Sequence, residues 1–390
     1  MARFLKWIGC VTLYLALAMP GALAKPLEEE LPMALSSPSA VLMEAETGAV
    51  LFEKSAQEAR TAASLTKLMT LLLIFKKIDE GEMALTDQVT ASPNAARQTG
   101  SRALIDAHAS YPPGELLKAT IIASGNDSAV ALAEYAAGTE ENFVKQMNEK
   151  ARQLGLVSTC YKNCTGLPAE GQYTCAGDIA AISREIVTKH PGYLKCSSVW
   201  LDTLKHPSGR VTDLTNTNRL VRFCTDYDGL KSGSTNEAKY CLSATAQRNG
   251  MRLIAVVLGT PNSQTRFDEA RSMMDYGFAT YALEQGTAKG DLTGVSLPVR
   301  MGTRDRVEVA IGSGLSMLLR SGQKNQLSFE TELPDSLSAP IKKDQEIGKI
   351  RLLLNGQPVA ELPAVAAQEV RLPGLLEGFL RLMENWSSGE

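Results

Sequence analysis

Three regimes of apolar and polar positions divide the chain. Residues 7–19 form an unbroken apolar run behind Arg3 and Lys6, stopped by Pro20 and Gly21. From about residue 38 to about residue 285, helical and strand periodicities alternate. Residues 40–43 and 49–52 are short apolar runs joined by Glu44-Ala45-Glu46-Thr47-Gly48, whose glycine suits a turn, so they predict a hairpin. Residues 64–77 predict a helix. Its stretch Leu68-Met69-Thr70-Leu71-Leu72-Leu73-Ile74-Phe75 is apolar nearly all round, which assigns it to the middle of a domain. Further helices are expected over 114–123, 128–137 and 141–154. Strands over 240–246 and 252–258 flank Arg248-Asn249-Gly250, an Asn-Gly hairpin signal. Over 291–367 the pattern shifts to short alternating runs, such as Val307-Glu308-Val309-Ala310, punctuated by Gly and Pro as in a small β-sandwich. In a last amphipathic segment, Leu372, Leu375, Leu376, Phe379, Leu380, Met383 and Trp386 recur at spacings of three and four.

The 390 residues suffice for two domains, and 44% hydrophobic with 21% charged residues is ordinary globular composition. The formal charge of −3 comes with no basic stripe, so nucleic acid is not an expected partner. The N-terminal run is shorter than the ~20 residues a spanning helix needs. It ends in Ala22-Leu23-Ala24, small residues where a signal peptidase reads, so residues 1–24 are expected to be a cleaved export signal. Cleavage takes away Arg3 and Lys6 and leaves a charge near −5. It also removes Cys10, leaving Cys160, Cys164, Cys175, Cys196, Cys224 and Cys241. Outside the cytoplasm these six could pair or stay as buried thiols, and both arrangements are open. With no Cys-x-x-Cys, no His-Glu-x-x-His and only His108, His190 and His206, no metal site is expected.

Ser64-Leu65-Thr66-Lys67 sets a hydroxyl at the start of the buried helix and an amine one turn on. Residues three apart share a helix face, so the amine can reach the hydroxyl. A serine needs an adjacent base to become a nucleophile, and a lysine serves if burial or a nearby cation keeps it neutral. The helix start also offers backbone N–H groups to an oxyanion. A second Ser-x-x-Lys, Ser321 to Lys324, contains Gly322 in the sandwich-like region and reads as a solvated loop. Among three Ser-x-Asn triplets, Ser124-Gly125-Asn126 stands between two apolar helices, where Asn126 or Asp127 would cap the second. Lys231-Ser232-Gly233 precedes the strand over 240–246. Its glycine admits a ligand backbone and its lysine supplies positive charge.

These three elements, 60 and then 107 residues apart, match Ser-x-x-Lys, Ser-x-Asn and Lys-Thr-Gly of the penicillin-recognising serine enzymes. With Asn163-Cys164-Thr165-Gly166-Leu167, Asp228-Gly229-Leu230 and Thr265-Arg266-Phe267, nearly the whole chain resembles the D-alanyl-D-alanine carboxypeptidases of peptidase family S11, the low-molecular-weight penicillin-binding proteins. The resemblance implies an α/β (α+β) serine β-lactamase/transpeptidase-like catalytic domain over 38–287, a β-sandwich domain over 288–368, and a membrane-associating amphipathic helix over 370–386. It implies removal of the terminal D-alanine from peptidoglycan stem peptides, with β-lactam antibiotics as covalent inhibitors. Ser64 would attack the penultimate D-alanine carbonyl and Lys67 would act as general base. Ser124 and Asn126 would relay protons and hold the substrate amide. Lys231 would lower the pKa of its neighbours and help bind the substrate carboxylate, which Arg266 and the Ser232 hydroxyl would grip. The N–H groups of Ser64 and Ser234 would form the oxyanion hole, beside Gly233. No cofactor is implied. Ser232 departs from the usual threonine. It keeps the hydroxyl with weaker rotamer control, so altered efficiency is expected and not loss of activity.

Two competing readings share the motifs. A secreted β-lactamase normally lacks a separate β-domain and a terminal amphipathic helix. A penicillin-binding sensor needs transmembrane helices, and no second stretch of this sequence is long and apolar enough for one. The terminal segment is too short to span a bilayer. It is expected to lie at the outer face of the cytoplasmic membrane with Trp386 near the headgroups, although Arg371 and Arg381 are balanced by Glu377 and Glu384. The alternative is a helix packed on the β-domain.

Overall fold

The computed structural model describes residues 34–375 apart from 324 and 325, together with 377 and 379. The expected export signal lies outside the described residues, as does most of the terminal amphipathic segment.

The hairpin expected near the start is β1 (Ser39–Glu44) and β2 (Val50–Lys54). They form one side of a five-stranded antiparallel sheet with β3 (Tyr227–Thr235), β4 (Lys239–Arg248) and β5 (Met251–Thr260), in the order β2-β1-β5-β4-β3. The β4–β5 turn has Asn249 at φ 49° and Gly250 at φ 83°. Both are left-handed, the conformation a twist-matched hairpin demands and an Asn-Gly pair tolerates.

Strand side chains alternate between sheet faces, and here both faces are covered. Val41, Met43, Ile254, Val256 and Leu258 join a core built with α1 (Lys67–Asp79), α2 (Pro113–Ile121), α3 (Asn126–Ala137), α4 (Glu140–Gln153) and α5 (Ala176–Lys189). Ala40, Leu42, Leu253, Ala255 and Val257 face the other way onto Phe267, Ala270, Met273 and Met274 of α6 (Ser263–Thr280). That two-sided burial explains why the strands read as continuous apolar runs. Helix α1 has every residue from Lys67 to Phe75 buried, and each Leu or Ile there contributes ~1.5–3 kcal/mol. The turn that carries Ser64 is thereby anchored to a densely buried helix.

Three local expectations need adjustment. Ser64 lies in a single 3₁₀ turn (Ala63–Thr66) that leads into α1. Neither Asn126 nor Asp127 caps α3. Its N-cap is Gly125, and no side chain bonds the cap. Asp127 instead accepts backbone N–H groups of Ala103 (2.9 Å) and Ile105 (3.2 Å), pinning the 99–105 loop beside the site. Helices α5 and α6 were not among the elements expected from periodicity.

From Tyr281 to Ala366 the strands take over. Strand β6 (Tyr281–Thr287) pairs with β9 (Leu315–Arg320). A six-stranded sheet runs β10 (Leu327–Glu332), β11 (Glu346–Leu354), β12 (Gln357–Ala366), β8 (Arg306–Ile311), β7 (Leu292–Arg300) and the short Leu337–Ser338. A core of its own includes Val307, Val309, Ile350, Leu362 and Ala364.

Candidate active site

Lys67 is the hub. Its Nζ lies 3.0 Å from Ser64 Oγ, 2.6 Å from Asn126 Oδ1 and 2.7 Å from the Thr165 carbonyl. Burial pushes its pKa down to about 7, with the negative charge of Asp127 opposing. The three contacts suit either charge state. An ammonium donates to all three. A neutral amine donates to Asn126 and Thr165 and turns its lone pair to the Ser64 hydroxyl, which is the geometry of a base poised to take that proton.

Ser124 has a left-handed backbone (φ 60°), and its buried hydroxyl has no hydrogen-bond partner among the described residues. A buried hydroxyl left unsatisfied is costly, and such groups concentrate where a ligand completes the set. Asn126 is fixed from both ends, donating through Nδ2 to the Thr99 carbonyl at 2.6 Å while accepting from Lys67.

Strand β3 brings the third motif in. A side chain built on Gly233 would put its Cβ 2.8 Å from the Ser64 backbone nitrogen, so only glycine lets the strand lie this close to the serine. Lys231 is buried, and among the described residues its Nζ reaches only the Ser232 carbonyl, at 3.3 Å. Burial, then Lys67, then Arg266 push it well below the usual lysine range. Ser232 is buried beside it, and Ser234 is exposed at the mouth. Arg266 on α6 donates to the Gly233 carbonyl at 3.1 Å and to Ser263 Oγ at 3.2 Å, with its guanidinium over the rings of Tyr240 and Phe267. All nine expected site residues thus lie on the elements that converge at Ser64. Arg266 braces the strand as well as adding charge.

Residues 163–166 matter more than their sequence suggested. Asn163 Oδ1 accepts from the backbone N–H groups of Thr165 (3.2 Å) and Gly166 (2.7 Å), folding the turn that presents the Thr165 carbonyl to Lys67. Thr70 donates to the Cys164 carbonyl at 2.7 Å and ties the turn to α1. A Cβ on Gly166 would fall 1.9 Å from the Ala63 carbonyl oxygen. A backbone carbonyl has no sequence signature; the Asn-x-Thr-Gly spacing was the available clue.

Residues 26–262 match the family described as D-alanyl-D-alanine carboxypeptidase. The chain belongs to that family. Residues 281–371 match the C-terminal domain of penicillin-binding protein 5, which sets this carboxypeptidase-family chain apart from a bare β-lactamase-like domain. It is 38% identical to D-alanyl-D-alanine carboxypeptidase DacF of Bacillus subtilis, over 91% of each chain. It is 32% identical to DacC of Escherichia coli, over 96% of this chain and 94% of that one. Penicillin-binding protein 5 of Haemophilus influenzae superimposes with a TM-score of 0.75 at 30% identity, over 88% of this chain and 100% of that one. The expected fold class is borne out: a mixed α/β catalytic domain followed by an all-β domain. All six cysteines of the described residues are free thiols. Burial raises Cys175 to about 12 and Cys241 to about 11, so neither is a nucleophile at neutral pH.

Proposed function

We propose that this chain removes the terminal D-alanine from peptidoglycan stem peptides through an acyl-enzyme on Ser64, and that β-lactams trap the same serine. The observation that carries the reading is the triple contact of a buried Lys67, held near neutrality, with Ser64, Asn126 and Thr165. Lys67 takes the Ser64 proton as Oγ attacks the penultimate carbonyl, and the N–H groups of Ser64 and Ser234 receive the oxyanion. Ser124 passes the proton to the leaving amine, Asn126 holds the substrate amide, and water completes hydrolysis. The D-alanine carboxylate sits by Lys231, Ser232 and Arg266. Lys67 and Lys231 are both buried, and the charge of one opposes charging of the other. An incoming carboxylate restores the charge of Lys231, and that charge in turn favours a neutral Lys67.

We read residues 38–287 as the catalytic unit and 288–368 as the β-unit, with β6 as the joint. Stem peptides lie outside the cytoplasm, which fits an export signal over 1–24. The segment over 370–386 we assign to the outer face of the cytoplasmic membrane. The support is the exposure of Leu372, Leu375 and Phe379, with Leu375 99% exposed.

Mass spectrometry of the purified protein, incubated first with penicillin and then with diacetyl-Lys-D-Ala-D-Ala, tests the chemistry. A covalent adduct mapped to Ser64 and loss of one D-alanine are expected, both absent in Ser64→Ala. An adduct on Ser321, or one that persists in the variant, would sink the assignment.

A further inference from the structure

The loop over 99–106 runs beside the Ser124–Asn126 junction and is tied down at both ends. At its inner end the Thr99 carbonyl accepts from Asn126 Nδ2 at 2.6 Å, and the Ser101 carbonyl accepts from the Asn126 backbone N–H at 2.7 Å. Asp127 takes the amides of Ala103 and Ile105. The Thr99 bond sets the Asn126 amide so that its oxygen, and not its nitrogen, faces Lys67. At its outer end the loop is held by a hairpin, Leu201–Lys205 with Val211–Thr215, whose turn carries His206 and Arg210. Arg210 donates to the Leu104 carbonyl and to Asp106 Oδ1 (2.8 Å), and Tyr111 Oη accepts the Asp106 N–H at 2.9 Å. Leu104 has φ 62°, a left-handed conformation that a leucine keeps only under such restraint.

His206 is the centre of that outer anchor. It is 4% exposed, and both ring nitrogens are engaged. Nδ1 lies 2.9 Å from Tyr111 Oη and 3.1 Å from an Arg210 nitrogen, while Nε2 lies 2.8 Å from Thr212 Oγ1. A guanidinium has no lone pair to offer, so Nδ1 is the acceptor, the ring is neutral, and its proton sits on Nε2 and goes to Thr212. A second proton, on Nδ1, would end both acceptances and set a cation against Arg210. The anions nearby are already engaged. Asp106, 3.7 Å from Nδ1, is held by Arg210 and Ser208, and Asp127 by the loop amides. On α2, which packs against the hairpin, Lys118 is shared between Glu115 and Asp202. Burial, then Arg210, hold His206 below its ordinary value of 6.5, against the pull of Asp106 and Asp127.

We infer that His206 is a positioning residue for the chemistry at Ser64: in its neutral form it fastens the 99–106 loop that orients Asn126 towards Lys67, and protonation of the ring releases the loop and slows acylation. The inference rests on the reading of Ser64 as the nucleophile and Lys67 as its base. Acid then acts twice, on Lys67 directly and on Asn126 through the loop.

The rate constant for acylation by penicillin is measured from about pH 5 to about pH 8 in the full-length protein, in H206N and in H206A. Asparagine offers an acceptor near the place of Nδ1 and does not titrate, whereas alanine offers none. A single base gives log rate against pH a limiting slope of about one on the acid side. The parent should fall more steeply than that below about pH 6.5. H206N should keep the single slope and most of the neutral-pH rate, and H206A should be at least about tenfold slower throughout. His108, exposed on the same segment, is present in both variants, so its titration cannot account for the difference. Amide hydrogen exchange of the peptide spanning 99–106, corrected for intrinsic rates, should show protection in the parent at about pH 7 that is lost at about pH 5.5. That measurement requires neither a folded variant nor a reactive Ser64. A parent profile that keeps the single slope, or protection unchanged by acid, would overturn the inference. So would H206N as slow as H206A, or H206A acylating at the parent rate with only a lowered melting temperature. Absence of a Ser64 adduct in the parent at every pH would overturn the nucleophile reading, and the inference with it.

Discussion

In the proposed mechanism the charge state of Lys67 decides whether Ser64 can act as a nucleophile. Burial is the largest cause of its fall to about 7. A base works only in its unprotonated form, which is roughly one tenth of the population one pH unit below that value and nine tenths one unit above it. The acylation rate constant per concentration of penicillin should therefore rise with pH, with a midpoint near 7, and level off in mild alkali. A flat profile across that range would remove Lys67 from the role of base. Lys67→Ala should lower acylation by about 10²- to 10⁴-fold with the fold retained, as followed by circular dichroism. The same depressed pKa works against the fold. Between about 7 and the ordinary lysine value of 10.5 the unfolded chain binds a proton that the folded chain does not, so this group's contribution to stability rises with pH through that window.

The turn over 163–166 makes the arrangement around Lys67 possible, and Gly166 is its most constrained position. It combines φ 85° with a would-be Cβ 1.9 Å from the Ala63 carbonyl oxygen. Gly166→Ala must push the turn away from the serine, a strain of about 1–3 kcal/mol for the left-handed backbone alone. The variant should melt lower and acylate at least about tenfold more slowly, because Thr165 no longer meets Lys67. Parent-like acylation with only a lowered melting point would make the turn a packing element. Such long-range supports are where the sequence was least legible. Ser-x-x-Lys could be read because its two partners sit one turn apart, and α1 because a continuous apolar run has few other homes. Strand β3 was harder to see, since Asp228, Gly229, Lys231, Ser232 and Gly233 lower strand propensity at the positions where polar groups and a close backbone approach are needed. Helix α6 was obscured by Arg266 and Glu269, polar residues turned inward. Glu269 accepts the backbone N–H of Ser37 at 3.2 Å, and Arg266 reaches Gly233, so both are satisfied by partners far away in sequence.

For the whole molecule, the open question is where the second domain leaves the chain's end. The β-unit has its own apolar core, and none of the helices among the described residues is long and apolar enough to cross a membrane. Leu372, Leu375 and Phe379 nevertheless project apolar side chains outward, with exposures of 52%, 99% and 59%. A terminal helix packed on the β-domain would bury that face; an interfacial helix would present it. Burial of about three such side chains in the headgroup boundary gives only reversible attachment, and the balanced charges Arg371, Arg381, Glu377 and Glu384 add little attraction to anionic lipid. Attachment should therefore withstand high salt, being apolar, and yield to detergent. Cells expressing the protein with and without residues 371–390 would be fractionated at low and high salt. The full-length chain is expected in the membrane fraction at both, with the truncated chain soluble and equally reactive with penicillin. Equal solubility of the two would assign the segment to packing. Loss of penicillin binding on truncation would mean that the terminus supports the catalytic domain instead of anchoring it.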